Sequence, residues 1–147
     1  MEYFTCLYAF VACIGFSIIF ELRQPLHILC ASFTGAVAWL SYLLLAPLNS
    51  EVARYLLATI IGTILAEIFA RLLRAPTTLF LIIAIIPMVP GGGLYYTMEA
   101  LINGNTALFA ELGLHTAACA AAIAAGVSLV SSLTRILFHR PAPDRSK

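Results

Sequence analysis

Five stretches of this chain carry almost no charge over the length needed to cross a lipid bilayer, and this limits its fold more than any other feature. They cover about residues 3–20, 26–46, 52–73, 77–102 and 116–138. A helix rises 1.5 Å per residue, so about 20 apolar residues match a hydrocarbon core about 30 Å thick. Lipid offers no partner to a free N–H or C=O, so runs this long are read as helices. The composition agrees. Apolar residues make up 62% of the 147 and charged ones 10%, against about 45–50% and about 25% in a soluble domain. So few charges cannot coat a water-facing surface, which excludes a soluble enzyme, a disordered chain and a nucleic-acid binder. The net charge of +1 gives no field to steer a polyanion. The expected fold is all-α and integral to the membrane. Residues 1–138 form one five-span module and residues 139–147 a short basic tail.

The first run is not read as a cleaved signal. The only charge before it is Glu2, and Glu21-Leu-Arg-Gln-Pro25 after it offers no small-x-small cleavage site. Pro25 sits at the start of the second span, where its missing N–H costs nothing. Pro47, Asn49 and Ser50 close that span. In the third, Gly62, Ala66 and Ala70 form a small-residue stripe that lets another helix approach closely. The fifth opens with residues 117–126, nearly all small, and is expected to pack tightly for the same reason. Residues 103–115, with Asn103, Gly104, Asn105 and Glu111, read as a polar loop that can hold a short interfacial helix.

The fourth segment is the informative one. Its apolar part ends in Pro87-Met-Val-Pro90-Gly-Gly-Gly93 before a second helical stretch to about residue 102. Two prolines and three glycines cannot continue a regular helix. A broken backbone in lipid has to be buried in protein or line a wet cavity. The expectation is helix, break, helix, with the break near mid-membrane. The second half-helix, starting near residues 92–94, would turn bare N–H groups and its positive dipole end towards a carboxylate. The glycines are expected to supply positive φ. Such discontinuous helices build substrate sites in secondary transporters. Pro87, Pro90, Gly91, Gly92, Gly93, Tyr95 and Tyr96 are the candidate substrate residues. A purely structural kink is the competing reading.

Orientation follows from Lys and Arg near the span ends. With the N-terminus outside and five crossings, Arg23, Arg71, Arg74, Arg135, Arg140, Arg145 and Lys147 fall inside and Arg54 outside. A re-entrant hairpin in place of the broken span would move the last four outside and lose the bias. The N-out, C-in arrangement is therefore expected.

Ionisable groups inside spans are costly and often functional. Glu67 and Arg71 stand i,i+4 with the acid first, the favourable order for a pair on one helix face. Glu99 lies past the break. All three are proton-coupling candidates, and interfacial anchoring is the competing reading. Ser128, Ser131, Ser132 and Thr134 read as interhelical hydrogen-bonders. Cys6, Cys13, Cys30 and Cys119 sit singly in apolar runs, and His27, His115 and His139 are scattered, so neither metal nor cofactor is expected. There is no G-x-S-x-G, no H-E-x-x-H and no aspartate within a span, so no enzyme is expected.

Glu67-Ile-Phe-Ala-Arg71, Ala75-Pro76-Thr77, Phe80 and the run from Ile85 through Pro87-Met-Val-Pro90-Gly-Gly-Gly93 to Thr97 resemble the C-terminal-half module of the threonine/serine exporter family (ThrE type, including the small YjjB-like subunits). The resemblance implies a subunit of a proton-coupled secondary transporter in the bacterial cytoplasmic membrane. Its substrates would be threonine and serine or succinate-like acids. It also implies a companion five-span subunit, or self-association in its place. A second half of a ten-span transporter would start outside and end inside, as the charges indicate. A non-transporting membrane scaffold is the alternative.

Overall fold

The computed structural model describes residues 4–137, so the expected tail at 139–147 lies outside the described residues. The order is α1 (Phe4–Ile19), α2 (Pro25–Leu44), α3 (Glu51–Leu72), α4 (Thr77–Ile85), a 3-10 turn (Ile86–Met88), α5 (Gly91–Ile102) and α6 (Thr106–Leu137). All the regular structure among the described residues is helical. By length and composition α2, α3 and α6 can each cross a membrane. The α4 and α5 segments would together make a fourth span, bent by 51° at residues 89–90. The first helix is apolar but shorter, at 16 residues.

Local signals set the boundaries. Pro25 occupies the first turn of α2. Ser50 caps α3, its hydroxyl accepting from the Ala53 N–H at 3.4 Å. Pro76 precedes α4, which begins one residue later, at Thr77. The expected loop over residues 103–115 is mostly helix. Only residues 103–105 turn, with Gly104 at φ 72°, and Asn105 Oδ1 then accepts from the Leu108 N–H at 3.1 Å and starts α6. An N-cap asparagine satisfies one of the free amides of the first turn, so the polar cluster marks a helix start.

Small residues set the packing. The Cβ atom that a side chain at Gly62 would add lies 2.9 Å from Ala38 Cβ, so α2 and α3 cross with almost no side chain between them. The Gly62, Ala66, Ala70 stripe is buried inside the chain. It is therefore not open to a second subunit. Gly126 meets the Leu56 carbonyl and Thr59 in the same way, which locks α6 along α3. The small run on α6 is split between two faces. Cys119, Ala122, Ile123 and Gly126 are buried, while Ala117, Ala120, Ala121, Ala124 and Ala125 face outward.

Candidate functional site

Pro87 has no N–H, so the carbonyl of Ile83, one turn earlier, loses its helical partner. The chain answers from two other helices. Cys13 on α1 donates its thiol to that carbonyl at 3.6 Å. Gly35 on α2 packs so closely that a Cβ there would lie 2.5 Å from Cys13 Sγ and 3.2 Å from Ile83 O. The helix then tightens into the 3-10 turn, and Val89 becomes extended (φ −61°, ψ 125°).

After Pro90 the chain re-enters helix at Gly91. The Gly91 N–H reaches the Val89 carbonyl at 2.7 Å and the Leu94 N–H the Pro90 carbonyl at 3.1 Å. The Gly92 and Gly93 amides have no acceptor among the described residues, and no side chain caps α5. None of the three glycines uses positive φ. Among the described glycines only Gly104 does. The expected conformational role is thus corrected. Gly91 and Gly92 have open space where a side chain would be, and Gly93 is bare because Thr116 Oγ1 would lie 2.5 Å from its Cβ.

The break borders a cavity of about 420 Å³, within the range of small-molecule sites. Pro87, Pro90, Gly91, Gly92, Gly93 and Tyr96 line it, joined by Trp39, Glu51, Tyr55, His115 and Cys119. Glu51 and Tyr55 place it beside the first two turns of α3. Tyr95 is not in it. Its ring meets the Tyr96 ring edge-on at 5.4 Å and faces a groove with Met98, Glu99 and Ile102.

Glu51 is the carboxylate of this cavity. Tyr42 donates its hydroxyl to Glu51 Oε1 at 2.9 Å, and His115 Nε2 lies 3.6 Å from Glu51 Oε2. The Arg54 guanidinium covers the Tyr42 ring at 4.3 Å and donates to the Tyr42 carbonyl at 3.3 and 3.4 Å. Cys119 Sγ is 4.0 Å from His115 Nδ1. The sequence reading had singled out neither Glu51 nor His115 for the site. Glu51 falls just outside the expected third span, and His115 stands at the end of the expected loop. A usable signal was present in Glu111, His115 and Cys119, spaced i,i+4 as on one helical face.

The other sequence candidates lie elsewhere. Glu67 and Arg71 do pair, at 3.2 Å. They sit more than four turns along α3 from Glu51, about 24 Å at helical rise. Glu99 is exposed two turns past the glycines, beside Asn103. Among the described residues no group of His, Cys, Asp and Glu is arranged to hold a metal.

A family model described as "Threonine/Serine exporter, ThrE" matches residues 5–133 of the chain. No curated protein and no solved structure matches it.

Proposed function

The chain belongs to the threonine/serine exporter family, and from that premise we propose that it is a membrane subunit of a secondary transporter exporting small amino acids through the cavity at the α4–α5 break. One observation carries this reading: two unpaired amides, Gly92 N–H and Gly93 N–H, and one carboxylate, Glu51, border the same cavity. A helix N-terminus with free N–H groups suits an anion, through hydrogen bonds and the macrodipole together. The Glu51 carboxylate suits a cation. A zwitterion offers both, a carboxylate for α5 and an ammonium for Glu51. A succinate-like diacid would bring a second negative charge to Glu51, so an amino acid fits better.

In this reading the chain crosses the bilayer five times, with its N-terminus outside and its C-terminus in the cytoplasm of a bacterium. The seven-to-one distribution of Lys and Arg supports that orientation. The bent α4–α5 pair then counts as one span, with its irregular backbone facing a cavity, as lipid requires. Transport is proton-coupled and needs a second five-span module, supplied by another chain or another copy. The outward alanine face of α6 supports this, because small residues allow close helix contact.

The test is export from cells preloaded with labelled L-threonine, L-serine or succinate, with and without a co-expressed companion module. Faster loss of threonine or serine than in empty-vector cells is expected. Export of succinate alone would overturn the amino-acid reading. Export of none of the three would favour a scaffold.

A further inference from the structure

Glu51 has one carboxylate and two claimants. Among the described residues, His115 alone brings a protonatable nitrogen within ion-pair distance of it, 3.6 Å from Oε2. Arg54, the nearest permanent cation in sequence, is engaged instead on the ring and carbonyl of Tyr42. The second oxygen, Oε1, is held by the Tyr42 hydroxyl. Oε2 is therefore the oxygen open to a cation, on a carboxylate that lines the cavity. We infer that protonated His115 and the substrate ammonium compete for Glu51 Oε2, so that His115 acts as a built-in, proton-operated displacer of the bound amino acid. This rests on the amino-acid reading of the cavity.

The charge balance is simple. With His115 protonated, the imidazolium pairs with the Glu51 carboxylate, and an incoming ammonium finds a neutralised partner. When His115 Nε2–H gives its proton to cavity water, the imidazole becomes neutral and the carboxylate stands free for the ammonium. The protonated state holds one anion and one cation, and the neutral-imidazole state does so again once the ammonium binds, so two positive charges never compete side by side for the carboxylate. Imidazole is the side chain whose charge changes between about pH 5 and 8.

The other groups facing this pair do not supply a second displacer. Tyr42 on α2, Tyr55 on α3 and Tyr96 on α5 are hydroxyl groups. Cys119, one turn after His115, places its thiol 4.0 Å from Nδ1. Glu111 lies one turn before His115 on α6 and bears no positive charge.

The experiment uses the full chain isolated from membranes in lipid nanodiscs, with any module it retains, and L-threonine as the probe. Calorimetric affinity is measured from pH 5 to pH 8. Wild-type affinity should fall at least fivefold on acidification, the lower end of ordinary linkage between two sites. The pH profile should flatten in His115→Gln and in His115→Asn, whatever their absolute affinities. Glu51→Gln should bind weakly and without pH dependence. Helix content by circular dichroism identifies any variant that has failed to fold, and the two histidine variants back each other up. A flat wild-type profile, or a profile that keeps its slope in both histidine variants, overturns the competition while leaving the amino-acid site intact. Failure of the wild type to bind threonine at every pH overturns the reading of the cavity and this inference with it.

Discussion

Gly93 on α5 lies directly beneath Thr116 on α6: a Cβ added to the glycine would stand 2.5 Å from the threonine hydroxyl and 3.2 Å from its methyl group. Thr116 cannot easily swing away, because its hydroxyl donates to the Leu112 carbonyl at 2.8 Å. Gly93→Ala is therefore expected to destabilise the α5–α6 pair by about 1–3 kcal/mol through overpacking. Thr116→Ala should recover part of that loss in the double variant by removing both nearest atoms. Thermal unfolding in mild detergent, read on all three variants, checks this. Additive losses would count against the contact.

The break also depends on α1 and α2. Cys13→Ala removes the donor to the Ile83 carbonyl and should cost about 1 kcal/mol, the low end for an unpaired buried acceptor because a thiol is a weak donor. Cys13→Ser keeps a donor and should be milder. Gly35→Ala forces a methyl group against Cys13 Sγ and should cost about 1–3 kcal/mol. Denaturation midpoints for the single and double variants test the coupling. The double variant should lose less than the sum.

Much of this architecture was legible in the sequence because lipid-length apolar runs permit little else. The starts of α2 and α3 fall within a residue of the expected positions 26 and 52, and Pro87 and Pro90 mark where helix gives way. The loop over residues 103–115 was misjudged because Asn105 and Glu111 are polar wherever they stand. Only the cap geometry at Asn105 reveals that a helix begins there. The site was half legible. Its backbone portion is local, written in consecutive prolines and glycines. Its carboxylate portion is not, since Glu51 and His115 are far apart in sequence and meet only because α6 runs alongside α3. The stripe at Gly62 was visible as small residues, but not that Ala38 of the same chain occupies it.

Orientation is open to direct labelling. In a background with Cys6, Cys30 and Cys119 changed to alanine and Cys13 to serine, Asn103→Cys places a thiol in the turn between α5 and α6. Ala75→Cys places one between α3 and α4. Membrane-impermeant maleimide on intact cells should label the first and spare the second. The reverse pattern would invert the topology. Labelling of both from the same side would show that the bent pair turns back without crossing.

The three carboxylates can be ranked. Glu51 lines the cavity, whereas Glu67 pairs with Arg71 at the far end of α3 and Glu99 stands beyond the glycines. Removing the Glu51 charge should cut threonine export at least tenfold, the effect of losing one charge-assisted contact worth about 1.5–3 kcal/mol. Glu67→Gln and Glu99→Gln should each have a smaller effect. Initial export rates across the three variants, normalised to membrane protein level, decide the order. An effect of Glu99→Gln exceeding that of Glu51→Gln would move the essential carboxylate past the break.

The sharpest test of the break is at Gly92. Its Cβ position meets nothing within 4 Å, so a Cβ added there touches no neighbour. The residue lines the cavity, so the same side chain would crowd the space beside the two free amides. Valine should therefore separate stability from function. Gly92→Val is expected to insert, fold and unfold near the wild-type midpoint while losing threonine binding and export. Leu94→Ile leaves the amides and the cavity lining unchanged and should be mild. The contrast with Gly93→Ala is diagnostic, since that variant should lose stability through its contact with Thr116. If Gly92→Val exports threonine at the wild-type rate, the amides do not bind the substrate and the break serves only to bend the helix.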